Sequence, residues 1–283
     1  MSADPPPALP PLHGADLSAL HGLLQDGPLV LVVVERTEGS VPREAGSWMA
    51  VTGSTVLGTI GGGQLEWQAI ASARQQLHTA GVCRRQRHAL GPSLGQCCGG
   101  VVHLVLHTLG PGDGPAVQAV WVDDRWPVGL FGGGHVGHAL VRALSPLPCR
   151  VYWFDSRDQV FAAPLPAQVL AEHSDPIERA VADMPAGSQV LIMSFSHAED
   201  LDIVAACLDR WRQRQDLPFI GLIGSRSKWA AFRHRLQARG YADDLLARVT
   251  CPIGLPGIAG KEPAVIAASV VAQLLLLRAG SPV

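Results

Sequence analysis

The middle of the chain contains a glycine turn in the pattern Gly132-x-Gly134-x-x-Gly137. An apolar strand at residues 128–131 leads into the turn, and apolar residues at helical spacing follow it. In dinucleotide-binding domains the first glycine permits a tight turn, the second lets the backbone approach a pyrophosphate, and the third lets helix and strand pack closely. The turn therefore predicts a Rossmann-like domain built on a parallel sheet.

The residues around the turn indicate how a ligand would bind there. The helix that follows offers free N–H groups to an anion at its N-terminus. A second strand, at residues 151–155, ends in Asp155, where a carboxylate would accept hydrogen bonds from a ribose diol. His135 and His138 border the turn, and we expect them to flank the ligand without taking part in chemistry.

More than a hundred residues precede the turn, so a domain of different purpose comes first. A chain of 283 residues with 47% hydrophobic content can build about two domains. The predicted fold class is α/β, with a smaller N-terminal α/β domain followed by a compact Rossmann-like domain with a parallel sheet. The predicted segments are a disordered leader (1–14), the N-terminal domain (15–112), a linker (113–126) and the Rossmann-like domain (127–283).

Apolar patterns predict most of the regular elements. In the N-terminal half they predict an amphipathic helix at 15–24, strands at 29–34 and 101–106, and a hairpin at 48–60. They also predict a helix of about four turns at 65–77. After the linker, strands and helices alternate, which indicates a doubly wound sheet. The strands predicted there are 128–131, 150–154, 189–193 and 219–223.

Composition excludes several classes of function. A net charge of -2 and a pI near 6.6 provide no field to hold nucleic acid. The longest apolar run, at 264–277, is interrupted by Ser269 and Gln273 and predicts a buried terminal helix rather than a membrane span. The first residues lack the features of a signal peptide, so we expect a cytoplasmic protein. Six cysteines without a Cys-x-x-Cys pattern are expected to be reduced and mostly buried.

A second glycine-rich segment, Gly61-Gly62-Gly63, joins a strand to a helix. Consecutive glycines allow several backbone N–H groups to converge on one anion, and the helix terminus adds partial positive charge. The alternative is a tight strand-to-helix turn. No Gly-Lys-Ser/Thr follows, which argues against a P-loop for a nucleotide triphosphate.

Two adjacent cysteines, Cys97 and Cys98, lie among glycines. Such thiols are candidates for soft nucleophiles or metal ligands, and the alternative is that one of them only packs. His103 and His107 share a strand face but have no third ligand, so we interpret them as structural.

The chain has 22 basic residues, of which only Lys228 and Lys261 are lysines. Ser225, Arg226 and Lys228 follow a buried strand at the start of a helix, where the helix dipole disfavours cations unless an anion lies between them. Either an acidic ligand binds there or the side chains reach water. Lys261 precedes another helix and has the same two interpretations. Ligands of open α/β sheets bind beyond the carboxyl ends of strands. We therefore expect Asp155, Ser196, His197 and residues 225–228 to share one crevice with the glycine turn.

Four segments in this order resemble the XdhC/CoxI family. They are 37–46, 58–66, 95–100 with its Gly-Gln-Cys-Cys-Gly-Gly pattern, and a Rossmann half ending in Cys-Pro-Ile-Gly-Leu-Pro-Gly-Ile-x-Gly-Lys-Glu-Pro at 251–263. The similarity runs from about residue 29 to residue 277, and it is strongest to the members that mature bacterial xanthine dehydrogenase.

This resemblance implies an accessory protein rather than an enzyme. Such proteins bind the molybdenum cofactor in its molybdopterin form, work with a cysteine desulfurase during sulfuration, and deliver the cofactor to the large subunit of xanthine dehydrogenase. The glycine turns and basic residues would suit the cofactor phosphate, and Cys97 and Cys98 would suit molybdenum or sulfur. We also expect a homodimer, with no nucleic acid or membrane partner.

Two other functions remain open from the sequence. An NAD-dependent oxidoreductase would use the glycine turn and Asp155, with His197 as the residue that could relay a proton. A purely structural adaptor would retain the nucleotide fold and bind no ligand. Whether a nucleotide binds at the Rossmann turn in addition to the molybdenum cofactor is also left open.

Overall fold

The computed structural model describes residues 8–14, 17–79, 82–90, 99–161 and 164–280. The chain divides into two compact units, Met1–Asp124 and Arg125–Val283. Each unit has its own sheet and its own buried clusters, and each is described by itself.

The first unit is built on an antiparallel sheet of five strands in the order β4-β3-β2-β6-β5. A short parallel pair, β1 with β7, lies outside this sheet. The strands are β1 (Leu12–His13), β2 (Leu29–Glu38), β3 (Trp48–Val51), β4 (Val56–Gly58), β5 (Cys83–Ala89), β6 (Val101–Leu109) and β7 (Trp121–Val122). The helices are α1 (Leu17–Asp26), α2 (Gly63–Gln76) and α3 (Gly114–Val120), with a 3-10 turn at Pro111–Asp113.

Helices cover both faces of this sheet, which explains why the start of β2 is continuously apolar. On one face the valines of β2 pack against Leu65, Ala69 and Ala73 of α2. On the other face Leu29 and Leu31 pack with residues of α1 and α3. A strand covered on both faces has no solvent-facing positions, so the alternation of a half-exposed antiparallel strand is lost.

Three features of the first unit differ from the pattern-based expectations. The segment 1–14 was predicted as a disordered leader, but Leu12–His13 form β1, and Leu12 is buried in the core. Strand β5 was not predicted, because its sequence Cys-Arg-Arg-Gln-Arg-His-Ala is polar and it lies at the edge of the sheet. The segment 113–126, predicted as a linker, contains α3 and β7, and Val117 of α3 is buried in the core.

The second unit is a doubly wound α/β domain. Its six parallel strands have the order β10-β9-β8-β11-β12-β13. They are β8 (Trp126–Phe131), β9 (Cys149–Asp155), β10 (Val169–His173), β11 (Gln189–Ile192), β12 (Phe219–Leu222) and β13 (Val249–Thr250). The helices are α4 (His135–Leu144), α5 (His197–Arg214), α6 (Arg226–Ala238), α7 (Asp243–Leu246) and α8 (Pro263–Arg278), with a 3-10 segment at Ile177–Ala182.

The chain order of the strands reverses between β8 and β11, which is the switch point of a Rossmann fold. Helices α4 and α8 cover one face of the sheet, and α5 and α6 cover the other. The prediction of an α/β chain with a Rossmann-like parallel sheet is therefore confirmed. Strands β10 and β13 were missed, since one is an edge strand with a partly polar sequence and the other has two residues.

Candidate functional site

The glycine turn, Asp155 and the segment Ser225–Lys228 of the second unit lie along the carboxyl edge of the parallel sheet, and a chain of contacts links the glycine turn to Lys228. The glycine turn after β8 packs on Met193 and Ser194 after β11. Ser194 donates a hydrogen bond from its hydroxyl to Asp200 of α5, and Asp200 pairs with Lys228 of α6. The ends of three strands are thereby joined at one edge, where ligands of this fold class bind.

The glycines of the turn after β8 have different structural roles. Gly132 has a φ of 122°, and a Cβ there would overlap the carbonyl oxygen of Met193. A Cβ on Gly137 would overlap the carbonyl oxygen of Gly132, so this glycine allows α4 to pack closely on the strand. Both positions need glycine for reasons internal to the chain.

The backbone and its neighbours do not require glycine at position 134. Its φ is -77°, which any residue can adopt, and a Cβ there would have no atom within 4 Å. It precedes α4 and provides no side-chain cap for the first N–H groups of the helix, and both Gly134 and His135 are exposed. The space and the N–H groups together fit a small anion.

Asp155 does not present a free carboxylate to a ligand. The side chain is 1% exposed and accepts hydrogen bonds from Gly133 N at 2.5 Å and from Arg157 N, Nε and Nη2 at 2.9, 2.9 and 2.8 Å. Burial acts to raise its pKa, but the bonds from Arg157 and Gly133 outweigh burial and hold the pKa below its usual value. These four bonds occupy the acceptor directions of a carboxylate, which corrects the expectation that Asp155 binds a ribose diol.

The polar groups of Ser225 and Lys228 bond to groups of the same chain rather than to an acidic ligand or to water. Ser225 caps α6 by accepting a hydrogen bond from Lys228 N at 3.2 Å. The Lys228 ammonium donates to Asp200 at 2.5 Å and to the carbonyl oxygen of Ile223 at 2.9 Å. The Asp200 carboxylate therefore neutralises Lys228. Neither of the two expectations for Lys228, an acidic ligand or contact with water, describes its position. Arg226 is exposed at the start of the same helix.

A cleft of about 560 Å³ lies beside Arg226 in the second unit. Its walls are the glycine- and proline-rich loop 251–260 and the first turns of α8. Cys251 in the wall carries a free thiol, and burial raises the pKa of this thiol, while Lys228 acts to lower it and Asp200 to raise it. Lys261 is exposed and does not line the cleft. Arg226, Cys251 and glycine backbone give this cleft a cation, a soft sulfur atom and hydrogen-bonding groups.

The loop of the cleft is held by two polar side chains of α8. Ser269 Oγ accepts a hydrogen bond from Leu255 N at 2.8 Å, and Gln273 Oε1 accepts one from Gly254 N at 2.8 Å. Both side chains are buried. These two residues interrupt the apolar run of the terminal helix. The interruption was therefore the sequence signal that α8 holds the loop 251–260.

The Gly61–Gly63 turn of the first unit binds a carboxylate of its own chain. The three glycines have φ values of 121°, 77° and 67°, in the left-handed region that favours glycine. Glu66 Oε2 accepts hydrogen bonds from Ile60 N and Gly62 N at 3.0 Å each and from Thr59 Oγ1 at 2.5 Å. The predicted anion at this turn is therefore Glu66, which supports the tight-turn interpretation over an external ligand.

The predicted thiol pair Cys97 and Cys98 lies outside the described residues. The segment that contains it is bracketed by Leu90 and Gly100, whose backbone groups are hydrogen-bonded at 2.8 Å. Within the described ranges, no group of three or more His, Cys, Asp or Glu side chains could hold a metal ion. Cys149 and Cys207 are buried, and burial raises their pKa to about 11 and about 12.

Other predicted residues have local roles at the edge of the sheet. Ser196 caps α5 by accepting a hydrogen bond from Glu199 N at 3.2 Å, and the His197 ring lies against Phe232. His138 packs edge-on against Trp153. Sequence reasoning missed Arg157 and Asp200, the ionic partners of two predicted residues. Their positions, just after a strand end and just after a helix cap, were the available signals.

Each half of the chain matches a known family model. Residues 128–274 match the family model described as the XdhC Rossmann domain, and residues 23–87 match the one described as the XdhC and CoxI family. The chain is 23% identical over 266 residues to the uncharacterized protein YqeB of Escherichia coli (strain K12). That match covers 91% of this chain and 45% of YqeB, so the chain spans less than half the length of this relative.

A solved structure has the same fold. It is described as a xanthine dehydrogenase from Bacillus halodurans, and it superposes with a TM-score of 0.70 at 20% identity, covering 95% of this chain and 97% of that one. In the described part of the chain, no helix is long and apolar enough to cross a membrane.

Proposed function

The chain belongs to the XdhC and CoxI family, and from this membership we propose that it is a cytoplasmic chaperone for the molybdenum cofactor. It binds the molybdopterin form as cargo and holds it while a cysteine desulfurase supplies sulfur. It then delivers the cargo to the large subunit of xanthine dehydrogenase. In this proposal the chain is an accessory protein that works as a homodimer and does not itself oxidise substrate.

The cleft beside Arg226 is the observation that carries this proposal. Molybdopterin has a phosphate at one end and dithiolene sulfurs bound to molybdenum at the other. Arg226 in the cleft wall suits the phosphate, because cations stabilise anions. The first N–H groups of α4 lie outside this wall and offer a second anion-binding position at the carboxyl edge of the sheet. Cys251 suits the soft end, because thiolates bind soft metal centres. The cleft, at about 560 Å³, is within the range of small-molecule sites.

Cofactor retention by the purified protein tests the proposal. The protein is incubated with molybdopterin cofactor, separated from free cofactor by gel filtration, and assayed for bound pterin by fluorescence after oxidation. We expect retention by the unaltered protein and reduced retention by Arg226→Ala and Cys251→Ala. Arg142→Ala, an exposed change in the last turn of α4, is the matched control.

The Cys97→Ala/Cys98→Ala variant separates holding from sulfuration. If these thiols handle sulfur, the variant retains cofactor but yields a less active dehydrogenase. Failure of the unaltered protein to bind cofactor, together with normal dehydrogenase maturation in a deletion strain, contradicts the whole proposal.

An NAD-dependent oxidoreductase is less well supported. That function would use the glycine turn and Asp155, but the Asp155 carboxylate is 1% exposed and is bonded to Arg157 and Gly133. A ribose would have to displace Arg157 to reach it. Titration with NAD, followed by an assay for hydride transfer, distinguishes the two functions, because a chaperone transfers none.

A further inference from the structure

A separate cavity of about 570 Å³ lies in the first unit, at the end of the β5–β6 strand pair. Its size is within the range of sites that bind small molecules. Most of its wall is apolar. The apolar lining residues include Leu9, Pro28, Leu77, Val82, Leu109 and Ala116.

His107 of β6 is the most buried of the polar side chains that line this cavity. The residue is 5% exposed, and its Nε2 atom has no hydrogen-bond partner. Buried polar groups are nearly always hydrogen-bonded, because leaving one unpaired costs the free energy of its lost hydration. His107 lines the cavity and carries an unpaired imidazole nitrogen, so it is the candidate hydrogen-bonding partner for a molecule in the cavity.

Cys83 of β5 lies directly opposite His107 in the strand register and also lines the cavity. Burial lowers the pKa of the His107 imidazole, and Arg85 lowers it further while Glu35 acts the other way. Burial also raises the pKa of the Cys83 thiol. Both groups are thus neutral at neutral pH.

The charged groups near the pair are already engaged. Arg85 forms hydrogen bonds to both carboxylate oxygens of Glu35, at 2.9 and 3.1 Å. Asp113, which also lines the cavity, accepts a hydrogen bond from Gly110 N at 2.7 Å. An anionic ligand would lose its hydration here without gaining a free cation beside His107, so the cavity favours an uncharged ligand over an anionic one.

We propose that this cavity is a binding site for an uncharged, mainly apolar small molecule that forms a hydrogen bond with His107 Nε2 and lies against the Cys83 thiol. This site is independent of the proposed cofactor chaperone function. It assigns a ligand-binding role to His107, which the sequence alone indicates as structural.

Three naphthalene probes test the chemistry of the site by equilibrium dialysis against the full-length protein. 2-Naphthol is uncharged and its hydroxyl can donate or accept, so it pairs with either tautomer of His107. 2-Methylnaphthalene has the same shape without a hydrogen-bonding group, and 2-naphthoate carries a charge. We expect 2-naphthol to bind about three- to tenfold more tightly than 2-methylnaphthalene, the usual effect of one hydrogen bond, and 2-naphthoate to bind most weakly.

Two further measurements locate the bound probe. His107→Phe keeps a flat ring but removes the nitrogen, so 2-naphthol should lose its advantage, whereas His103→Phe, on the same strand face but outside the cavity wall, should keep it. Alkylation of Cys83 by iodoacetamide, followed by peptide mass spectrometry, should slow when 2-naphthol is bound, while Cys251 in the other unit keeps its rate.

The outcomes separate a ligand site from a water-filled void. No saturable binding of 2-naphthol, or equal affinity for the hydroxyl and methyl probes, overturns the proposal. Binding that leaves the alkylation rate of Cys83 unchanged places the probe elsewhere and overturns it too. If His107→Phe does not fold, the probe comparison and the protection of Cys83 in the unaltered protein still decide the matter.

Discussion

Gly132 and Gly134 lie two residues apart in one turn, but different forces act on them. A side chain at Gly132 would overlap the backbone after β11, and its φ of 122° is strained for any other residue. At Gly134 the backbone is ordinary and the neighbouring space is empty. The first glycine is needed for folding, whereas the second is free to serve a ligand.

Replacing these glycines should separate stability from binding. Gly134→Ala should keep the free energy of unfolding within about 1 kcal/mol of the unaltered protein or raise it slightly, since alanine restricts the unfolded chain. It should weaken cofactor retention roughly tenfold or more, because the added methyl group would occupy the space that the phosphate needs and keep it out of hydrogen-bonding distance of the N–H groups, and a hydrogen bond to a charged group contributes about 1.5–3 kcal/mol. Gly132→Ala should lose at least about 1–3 kcal/mol of stability. Urea denaturation and the retention assay measure both effects, and unchanged retention by Gly134→Ala would place the cofactor elsewhere.

Asp155 should make the stability of the second unit depend on pH in the acid range. Its pKa is lowered in the folded protein, so as the pH falls the unfolded chain takes up a proton before the folded one does. The stabilisation is complete above the unfolded pKa of about 4 and is lost as the pH falls through the folded pKa.

The Asp155→Asn variant tests this expectation. We expect it to be less stable at neutral pH, since it loses the ion pair with Arg157, and to show a flatter loss of stability between about pH 5 and pH 3. Asp243→Asn is the control: the pKa of Asp243 is also lowered by Arg233, but its side chain is 65% exposed and solvent weakens the pair. If the free energy of unfolding falls with pH in the same way for Asp155→Asn and the unaltered protein, Asp155 does not cause the acid dependence.

A buried ion pair joins the N-terminal ends of α5 and α6 at the carboxyl edge of the parallel sheet. Lys228 in the first turn of α6 and Asp200 in the first turn of α5 have side chains that are 11% and 3% exposed. Asp200 also accepts hydrogen bonds from the backbone N and the hydroxyl of Ser194, at 2.8 Å each. The pair therefore ties two helix N-termini to the loop after β11.

Breaking this pair should strongly destabilise the second unit. Lys228→Met leaves Asp200 charged and buried without its cation, which typically costs about 3–5 kcal/mol. Asp200→Asn combined with Lys228→Met should cost less than the sum of the two single changes, because the double variant leaves no unpaired charge. Arg239→Met, which breaks an exposed pair with Asp202, should cost about 0–1 kcal/mol. Urea denaturation measures all four variants, and additive losses would rule out coupling between Lys228 and Asp200.

Local patterns predicted some elements and missed others for identifiable reasons. The strand, glycine turn and helix around Gly132 were predictable because each part depends on neighbouring residues. Strand β5 was not, because its place at the sheet edge depends on pairing with β6 rather than on its own polar sequence.

The same distinction applies to the candidate site. The sequence indicated a cation at position 228 and a carboxylate at position 155, but both are neutralised by residues of the same chain, Asp200 and Arg157. Which charges pair internally is decided by tertiary contacts, here between α5 and α6 and within the loop after β9. Arg226 and Cys251, which line the same cleft from segments about 25 residues apart, become neighbours only through the order of the strands.

Each unit of the chain buries its own apolar clusters. The two clusters of the second unit contain only residues from 126 onwards, and the clusters of the first unit contain only residues up to 121. A domain of this size can bury enough apolar surface to fold alone. The groups proposed to hold the cofactor, namely Gly134, Arg226 and Cys251, all lie in the second unit, whereas the proposed sulfur-handling thiols Cys97 and Cys98 lie in the first.

A fragment of residues 125–283 should therefore unfold in one cooperative transition and should retain cofactor, but it should not support sulfuration. Circular dichroism during urea denaturation checks the first expectation, and the fluorescence assay for bound pterin checks the second. The Arg226→Ala version of the fragment is the control, because it should fold equally well and retain less cofactor. If the fragment folds but releases the cofactor, groups of the first unit must take part in holding it, and the cleft beside Arg226 is then only part of the binding site.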